Sequence, residues 1–172
     1  YGTNGGAAFS RPSTAPARSD TVLVTSTEYN TAGQAYKTID PLGKESRVEF
    51  DDAGRTLKQI GSYVDGNPAT GGSDEDVTVE MAYNADGQVT TLTAKKPTTG
   101  DQITKYVYGT ATGGITPEVY RNDLLRAEIY PDSDDTTSLG NGADGTYDRI
   151  EFTYDIQDAR LDRKDQNGTV HT

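Results

Sequence analysis

The sequence predicts an all-β protein, an antiparallel meander of consecutive β-hairpins that forms a twisted sheet. Short aromatic-Asx-x-x-Gly boxes recur along the chain, and apolar and polar residues alternate in the segments between them. The chain also contains 11 tyrosines, although only 32% of its 172 residues are hydrophobic. Disordered chains are poor in aromatic residues, whereas tyrosine suits a pleated, half-buried surface. A sheet with a solvated face therefore fits the composition better than a disordered chain.

Four segments share the order aromatic, Asp or Asn, two variable residues, Gly, and then Gln or Arg. Their defining residues are Tyr29, Asn30 and Gly33; Phe50, Asp51, Gly54 and Arg55; Tyr83, Asn84 and Gly87; and Tyr154 and Asp155. The fourth copy departs from the pattern, because Asp158 stands where Gly is expected. A second box, Asp-x-x-Gly, begins 11 residues after two of the aromatics, and consists of Asp40 and Gly43 and of Asp165 and Gly168.

The spacing of these boxes predicts reverse turns. Asp or Asn at the first position and Gly three residues later are typical of a type I turn, in which the Asx side chain accepts backbone hydrogen bonds. Gly then adopts the left-handed conformation that returns the chain to a strand. Turns are expected at Asn30, Asp40 and Asp51, with roughly six residues between turns, an ordinary strand length. The first and third turns would lie at one edge of the sheet and the second at the other.

Alternation within the strands agrees with this interpretation. In residues 77–83, Val77 and Val79 share one face, while Thr78 and Glu80 share the other. Each repeat aromatic is the last apolar residue before its turn. Stacked hairpins would place these aromatics in a ladder, where cross-strand pairs stabilise the sheet. A structural role is therefore expected for them.

The two boxes together resemble the YD repeat of RHS proteins, which include bacterial polymorphic toxins, toxin-complex shell components and teneurins. The resemblance covers residues 21–172, and residues 1–20 are expected to form a loop or a loosely ordered segment. It implies a piece of a longer repeat array, paired with flanking repeats of the same parent chain. It further implies a wall segment of a hollow shell in a secreted or cell-surface bacterial protein, enclosing or presenting a C-terminal effector.

Charge and composition exclude several classes of partner. The formal net charge of −11 argues against binding to nucleic acid or to anionic membranes, both of which require clustered Lys and Arg. The chain has no cysteine, so a disulfide, a Cys-ligated zinc and a Cys nucleophile are excluded. No apolar run approaches the ~18 residues of a membrane span. The N-terminus shows no signal peptide, which favours an excised fragment.

One segment is a candidate calcium site. Residues 131–148 contain several glycines and a group of closely spaced oxygen-bearing side chains, namely Asp132, Asp134, Asp135, Asn141, Asp144 and Asp148. Calcium prefers six to eight oxygen ligands and often binds such loops, but the spacing does not match an EF-hand. The favoured interpretation is a solvated loop, and the cluster at residues 74–76 is a weaker candidate. No metal and no cofactor are therefore expected.

Signals of catalysis are poor. His171 is the only histidine, and no Gly-x-Ser-x-Gly motif accompanies it. We expect no enzymatic activity and no catalytic residue. Two other functions remain open, namely a structural shell segment and an extracellular adhesin that binds a glycan or another surface partner. A strip of sheet also has edge strands, so self-association edge to edge, in a dimer or a fibre, is expected.

Overall fold

The computed structural model describes residues 13–14, 16–19, 21–109, 121–155 and 157–172. These residues form eleven β-strands that follow one another in an antiparallel meander, and no helix is found among them. The predicted fold class is therefore confirmed. Residues 1–12, 15 and 20 of the predicted N-terminal loop lie outside the described residues. The described part of the chain contains no helix long and apolar enough to cross a membrane.

The chain divides into two compact units, residues 1–78 and residues 79–172. The strands of the first unit are β1 (Ser26–Tyr29), β2 (Ala35–Ile39), β3 (Glu45–Phe50) and β4 (Thr56–Gly61). Each pairs with the next one, and the register places Lys37 opposite both Glu28 and Arg47. The pairing shifts by a bulge just before Tyr29 and again just before Phe50. The repeat aromatics thus mark the points where strand pairing gives way to a turn.

Strand β5 (Val77–Tyr83) crosses the boundary between the units. The second unit continues with β6 (Val89–Ala94), β7 (Gln102–Tyr108), β8 (Leu125–Ile129), β9 (Ile150–Tyr154), β10 (Arg160–Lys164) and β11 (Val170–His171). These strands also pair in chain order, and the pairing again shifts just before Tyr83 and Tyr108.

The apolar core is thin. Among the described residues, the buried hydrophobic side chains are Ile60 in the first unit and Ala127, Ile129, Leu139 and Ile150 in the second. Large hydrophobic side chains remain exposed on the strands, as expected of a chain with so few apolar residues. Burial of apolar area is the main driving force of folding. In this chain, backbone ladders and polar contacts must therefore contribute an unusually large share of the specificity.

At the start of β5 the polar residue is buried and the apolar residue is exposed. Val77 is 51% exposed, whereas Thr78 is only 2% exposed. The reason is local, because the Thr78 hydroxyl donates to the carbonyl of Asp76 at 2.7 Å and so lies against the preceding loop. A small polar residue is buried here because the loop supplies its hydrogen-bond partner.

Opposite charges alternate across the strands of the first unit. Lys37 Nζ lies 2.9 Å from Glu28 and 3.5 Å from Glu45, and Arg47 also pairs with Glu45. The Arg47 guanidinium then lies 3.5 Å from the centre of the Tyr63 ring. Glu28 faces Lys37 directly and favours this register, whereas Glu45 offsets the repulsion between Lys37 and Arg47, which also face each other. A polar sheet face is thus an ordered network that tolerates water.

The long connection between β4 and β5 is closed by a single carboxylate. Asp76 is 1% exposed and accepts hydrogen bonds from the amides of Val64, Asp65 and Gly66 at 2.9, 3.2 and 2.9 Å. The Asp76 amide donates to the Ser62 carbonyl at 3.0 Å. Burial raises the pKa of Asp76, but the three amides outweigh burial and hold this pKa below its ordinary value. The turn-rich connection is therefore an anchored loop.

Replacing Asp76 by Ala should lower the free energy of unfolding by about 2–3 kcal/mol, because three backbone amides lose a charged acceptor. Asp76→Asn keeps the shape and should lose only part of this energy. Since the folded-state pKa of Asp76 is depressed, its stabilisation is present above the unfolded pKa of ~3.9 and disappears as the pH falls through the folded value. Urea unfolding at several pH values measures this. Equal stability of the native chain and Asp76→Ala at neutral pH would contradict the anchoring role.

Candidate functional site

The repeated turn is the feature that recurs most regularly in the described residues. Six turns share one geometry, in which the Asx amide donates to the carbonyl four residues later and the amide at the Gly position donates back to the Asx carbonyl. The Asx Oδ1 also accepts from the amide four residues later, at 2.8–2.9 Å. The turns begin at Asn30, Asp40, Asp51, Asn84, Asp155 and Asp165. Each ends in a left-handed residue, as expected of a short hairpin loop with a bulge.

The left-handed position explains the Gly of the pattern. The five glycines at this position are Gly33, Gly43, Gly54, Gly87 and Gly168, and they have φ values between 78° and 85°. Asp158 takes the same place in the fourth copy with a φ of 67°. Asp tolerates this conformation better than most residues, because its short side chain forms local hydrogen bonds. The turn therefore persists where the sequence departs from the pattern.

The repeat aromatics differ in their surroundings. Tyr29 is 64% exposed, whereas Phe50 and Tyr83 are half-buried. Tyr154 is also half-buried, and its hydroxyl donates to the Leu125 carbonyl at 2.7 Å, which ties β9 to the start of β8. The aromatics are therefore not equivalent members of one ladder.

Sequence reasoning missed a fifth aromatic at the same place in a hairpin. Tyr108 follows a register shift at the end of β7 and pairs with Leu125 at the start of β8. Gly109 follows it with a φ of 94°, and its amide donates to the Leu124 carbonyl at 3.2 Å. An insertion that includes residues 110–120, outside the described residues, separates the two strands, so no Asx-x-x-Gly box follows Tyr108. The alternation of residues 102–108 was the available signal.

Inside three turns the first and last side chains form a matched pair. The Asn amide donates to the Gln carbonyl oxygen in two turns, at 3.0 and 2.6 Å, and in the third turn the Arg guanidinium lies 2.7 Å from the Asp carboxylate. These turn pairs are Asn30 with Gln34, Asn84 with Gln88, and Asp51 with Arg55. Neutral side chains pair with neutral ones and charged with charged. The Gln-or-Arg position of the pattern thus depends on the residue that opens the turn.

The glutamines also connect one turn to the next along an edge of the sheet. In the first unit, Gln34 Nε2 donates to the Gly54 carbonyl at 3.0 Å. In the second unit, Gln88 Nε2 donates to the Asp123 carbonyl at 2.9 Å, and Arg121 pairs with Asp123 and with Asp158 in the following turn. We call these turn-to-turn contacts the edge bridges. Each bridge holds neighbouring hairpins at the point where strand pairing has ended.

The loop at residues 131–148 gathers three of its acidic residues. One oxygen each of Asp134, Asp135 and Asp148 lies within 4.8 Å of the others. Asp135 is completely buried, and Arg149 donates to its Oδ2 at 2.7 Å. Burial lowers the pKa of Arg149, but the hydrogen bonds that Arg149 donates to Asp135 and Glu151 outweigh burial and raise this pKa overall. The predicted candidates Asp132 and Asp144 do not belong to this group.

The weaker candidates from the sequence, namely the cluster at residues 74–76 and His171, have other structural roles or contact few other residues. In the cluster at residues 74–76, Asp76 anchors the loop and Glu75 accepts from the Gly72 amide at 2.7 Å. His171 lies 3.0 Å from Asp165, and its side chain is the largest of the causes that hold the pKa of Asp165 below its ordinary value. Among the described residues, no serine contacts this pair. The open groove beside Tyr36 and Phe50 is the most aromatic concavity described in the first unit.

Comparison with solved structures finds a similar fold in the crystal structure of TcdB2-TccC3-Cdc42. The match has a TM-score of 0.53 and 18% sequence identity, and it covers 85% of this chain and 6% of that chain. At this identity the likeness concerns the fold alone. The chain thus spans a small fraction of the protein that it matches. No protein-family model matches the chain, and no curated protein does.

The turn pairs predict a compensating exchange. Asn30→Asp alone should destabilise the first unit slightly, because Gln34 cannot serve both the new carboxylate and the Gly54 carbonyl equally well. Adding Gln34→Arg should recover part of the loss, since it recreates the Asp51–Arg55 pair. A double-mutant cycle by urea unfolding measures the coupling. Strict additivity of the two changes would show that the pair is incidental. The Asp155 turn offers a control with Asp155→Asn, because it ends in Ala159, which provides no side-chain partner of this kind.

Proposed function

We propose that this chain is a non-catalytic structural segment, a stretch of wall in an RHS/YD-type shell of a secreted or cell-surface bacterial protein. The parent shell would enclose or present a C-terminal effector. The observation that carries the proposal is the recurrence of one turn geometry at six positions, with edge bridges between successive turns. A unit that repeats in this way can be extended by further hairpins of the same kind.

Three features support this proposal. The repeat itself resembles that of shell-forming proteins, and the structural match lies in a chain far longer than this one. The small core indicates that stability comes from strand ladders, turns and cross-strand charges. A wall needs these properties, because both of its faces can meet water while its backbone remains fully paired. The shell would act mechanically, by keeping an effector apart from its surroundings.

The absence of catalysis is part of the proposal. The carboxylates with described partners act mainly as acceptors within turns or as members of ion pairs. The concavities in the described residues are open grooves, whereas small-molecule sites are usually enclosed, apolar clefts with convergent polar groups. We therefore assign no substrate to this segment.

Electron microscopy of the parent protein with its flanking repeats restored tests the proposal. We expect a closed hollow particle with internal density. A matched parent that lacks the region after the repeats should give the same closed particle without that density. An open fibre or a solid rod would contradict the shell and would favour a surface array that associates edge to edge.

A second candidate function is binding of a glycan by an adhesin, and one observation favours it. The open groove of the first unit combines the rings of Tyr36 and Phe50 with the side chains of Asn30 and Gln34. Aromatic faces beside amide groups suit a sugar ring. In this case the chain should bind a glycan array, and Tyr36→Ala should abolish binding while Tyr29→Ala, at an exposed position outside the groove, should not. Equal glycan binding by the two variants would contradict this alternative function.

A further inference from the structure

The acidic loop between β8 and β9 carries an inference that is independent of the shell. One carboxylate oxygen each of Asp134, Asp135 and Asp148 falls within 4.8 Å of the others. An acidic cluster alone is common on protein surfaces. Here, however, the three carboxylates are separately oriented by the loop, and one of them is completely buried.

Each carboxylate of the cluster is held through one of its two oxygens. Asp134 Oδ2 accepts from the amides of Ala143 and Asp144 at 2.6 and 3.1 Å. Asp148 Oδ1 accepts from the Ser133 hydroxyl. Asp135 Oδ2 accepts from Arg149 Nη1 at 2.7 Å and from the Asp148 amide at 3.3 Å. The other oxygen of each carboxylate makes no hydrogen bond to the described residues.

The buried oxygen of Asp135 is the second and decisive observation. Asp135 is 0% exposed, and its Oδ1 has no hydrogen-bond partner among the described residues. Buried polar groups are nearly always satisfied, and an ionised carboxylate oxygen is among the least favourable atoms to leave without a partner. Arg149 does not meet this need, because it contacts Oδ2 and also pairs with Glu151 at 2.6 Å. Asp135 belongs to the cluster, and we infer that Oδ1 is the oxygen it offers there, because a bound cation would satisfy this atom.

We propose that Asp134, Asp135 and Asp148 bind a calcium ion. Calcium holds oxygen ligands at about 2.3–2.6 Å, so ligands on opposite sides of the ion are roughly 4.6–5.2 Å apart. Three oxygens within 4.8 Å of one another can therefore all contact one calcium ion. Magnesium requires about 2.0–2.1 Å and therefore roughly 4.2 Å across, with stricter geometry. The local charge also favours a cation. The three carboxylates of the cluster carry more negative charge than Arg149 balances, and Arg149 is shared with Glu151.

The bound ion would fix a connection of the sheet. The loop begins after Ile129 and returns to β9 at Ile150, and Leu139 is buried within it. Because Asp134 is exposed, water can complete the coordination sphere. Sites of this kind in extracellular modules bind calcium with dissociation constants on the order of 0.1–1 mM. The ion would therefore be bound outside cells and released at cytosolic calcium levels.

Calorimetric titration and thermal unfolding of the full chain, first treated with EDTA, test the site with calcium chloride alone. We expect saturable heat and a higher melting temperature, with a clearly weaker effect of magnesium chloride. Asp148→Asn and Asp134→Asn should each weaken calcium binding roughly 10-fold or more, because each removes one charged ligand. Asp135 is left unchanged, since its replacement would remove one of the two carboxylates that pair with the buried Arg149.

The matched control is Asp132→Asn, which removes an exposed carboxylate from the same loop but not from the cluster. It should bind calcium as the native chain does. Circular dichroism of all variants without calcium shows whether each is folded. The proposal is overturned by the absence of calcium-dependent heat up to several millimolar, by undiminished binding in folded Asp148→Asn, or by an equal loss in Asp132→Asn. An equal or stronger response to magnesium overturns the assignment to calcium.

Discussion

The hydrogen bond from the backbone amide that closes each turn to the Asx Oδ1 is the interaction on which the rest of the structure depends. It fixes the length of the turn, and the left-handed residue then fixes the bulge that follows. Side chains in a strand alternate between the two faces, so a shift of one residue would exchange those faces completely. The cross-strand charges, the buried Ile60 and the half-buried aromatics all require the register that this bond sets.

The strong negative charge of the chain has a related origin. Many of its aspartates accept backbone hydrogen bonds, as Asp40, Asp51 and Asp165 do in turns and Asp76 does in the anchored loop. The high content of acidic residues therefore results largely from the aspartates that the turns use as hydrogen-bond acceptors. A protein with a thin core can use such local acceptors in place of apolar burial, because each satisfies backbone groups at a point where strand pairing stops.

Structural features that arise within a five-residue turn can be predicted from the sequence. Contacts between residues far apart in the chain mostly cannot. The all-β meander follows from turn chemistry that is local, and the structure confirms it. The contact of Gln34 with Gly54 could not be predicted, because it exists only once two turns lie at the same edge. The burial of Asp135 depends on Arg149, which is 14 residues away, so composition alone favoured a solvated loop. Thr78 and not Val77 is buried for a similar reason, since the neighbouring loop decides which face is covered.

The edge bridges have a consequence for how such a chain can change in length. Each glutamine donates to a backbone carbonyl of the next turn, and every residue type offers that acceptor. The other half of its interaction lies within its own turn, with the Asx that opens it. The bridge from Arg121 depends on the Asp158 side chain, whereas a glutamine bridge does not depend on the side chains of the hairpin beside it. Duplication, loss or divergence of a neighbouring copy leaves the bridge intact, so the array can evolve in units of whole hairpins while its edge remains continuous.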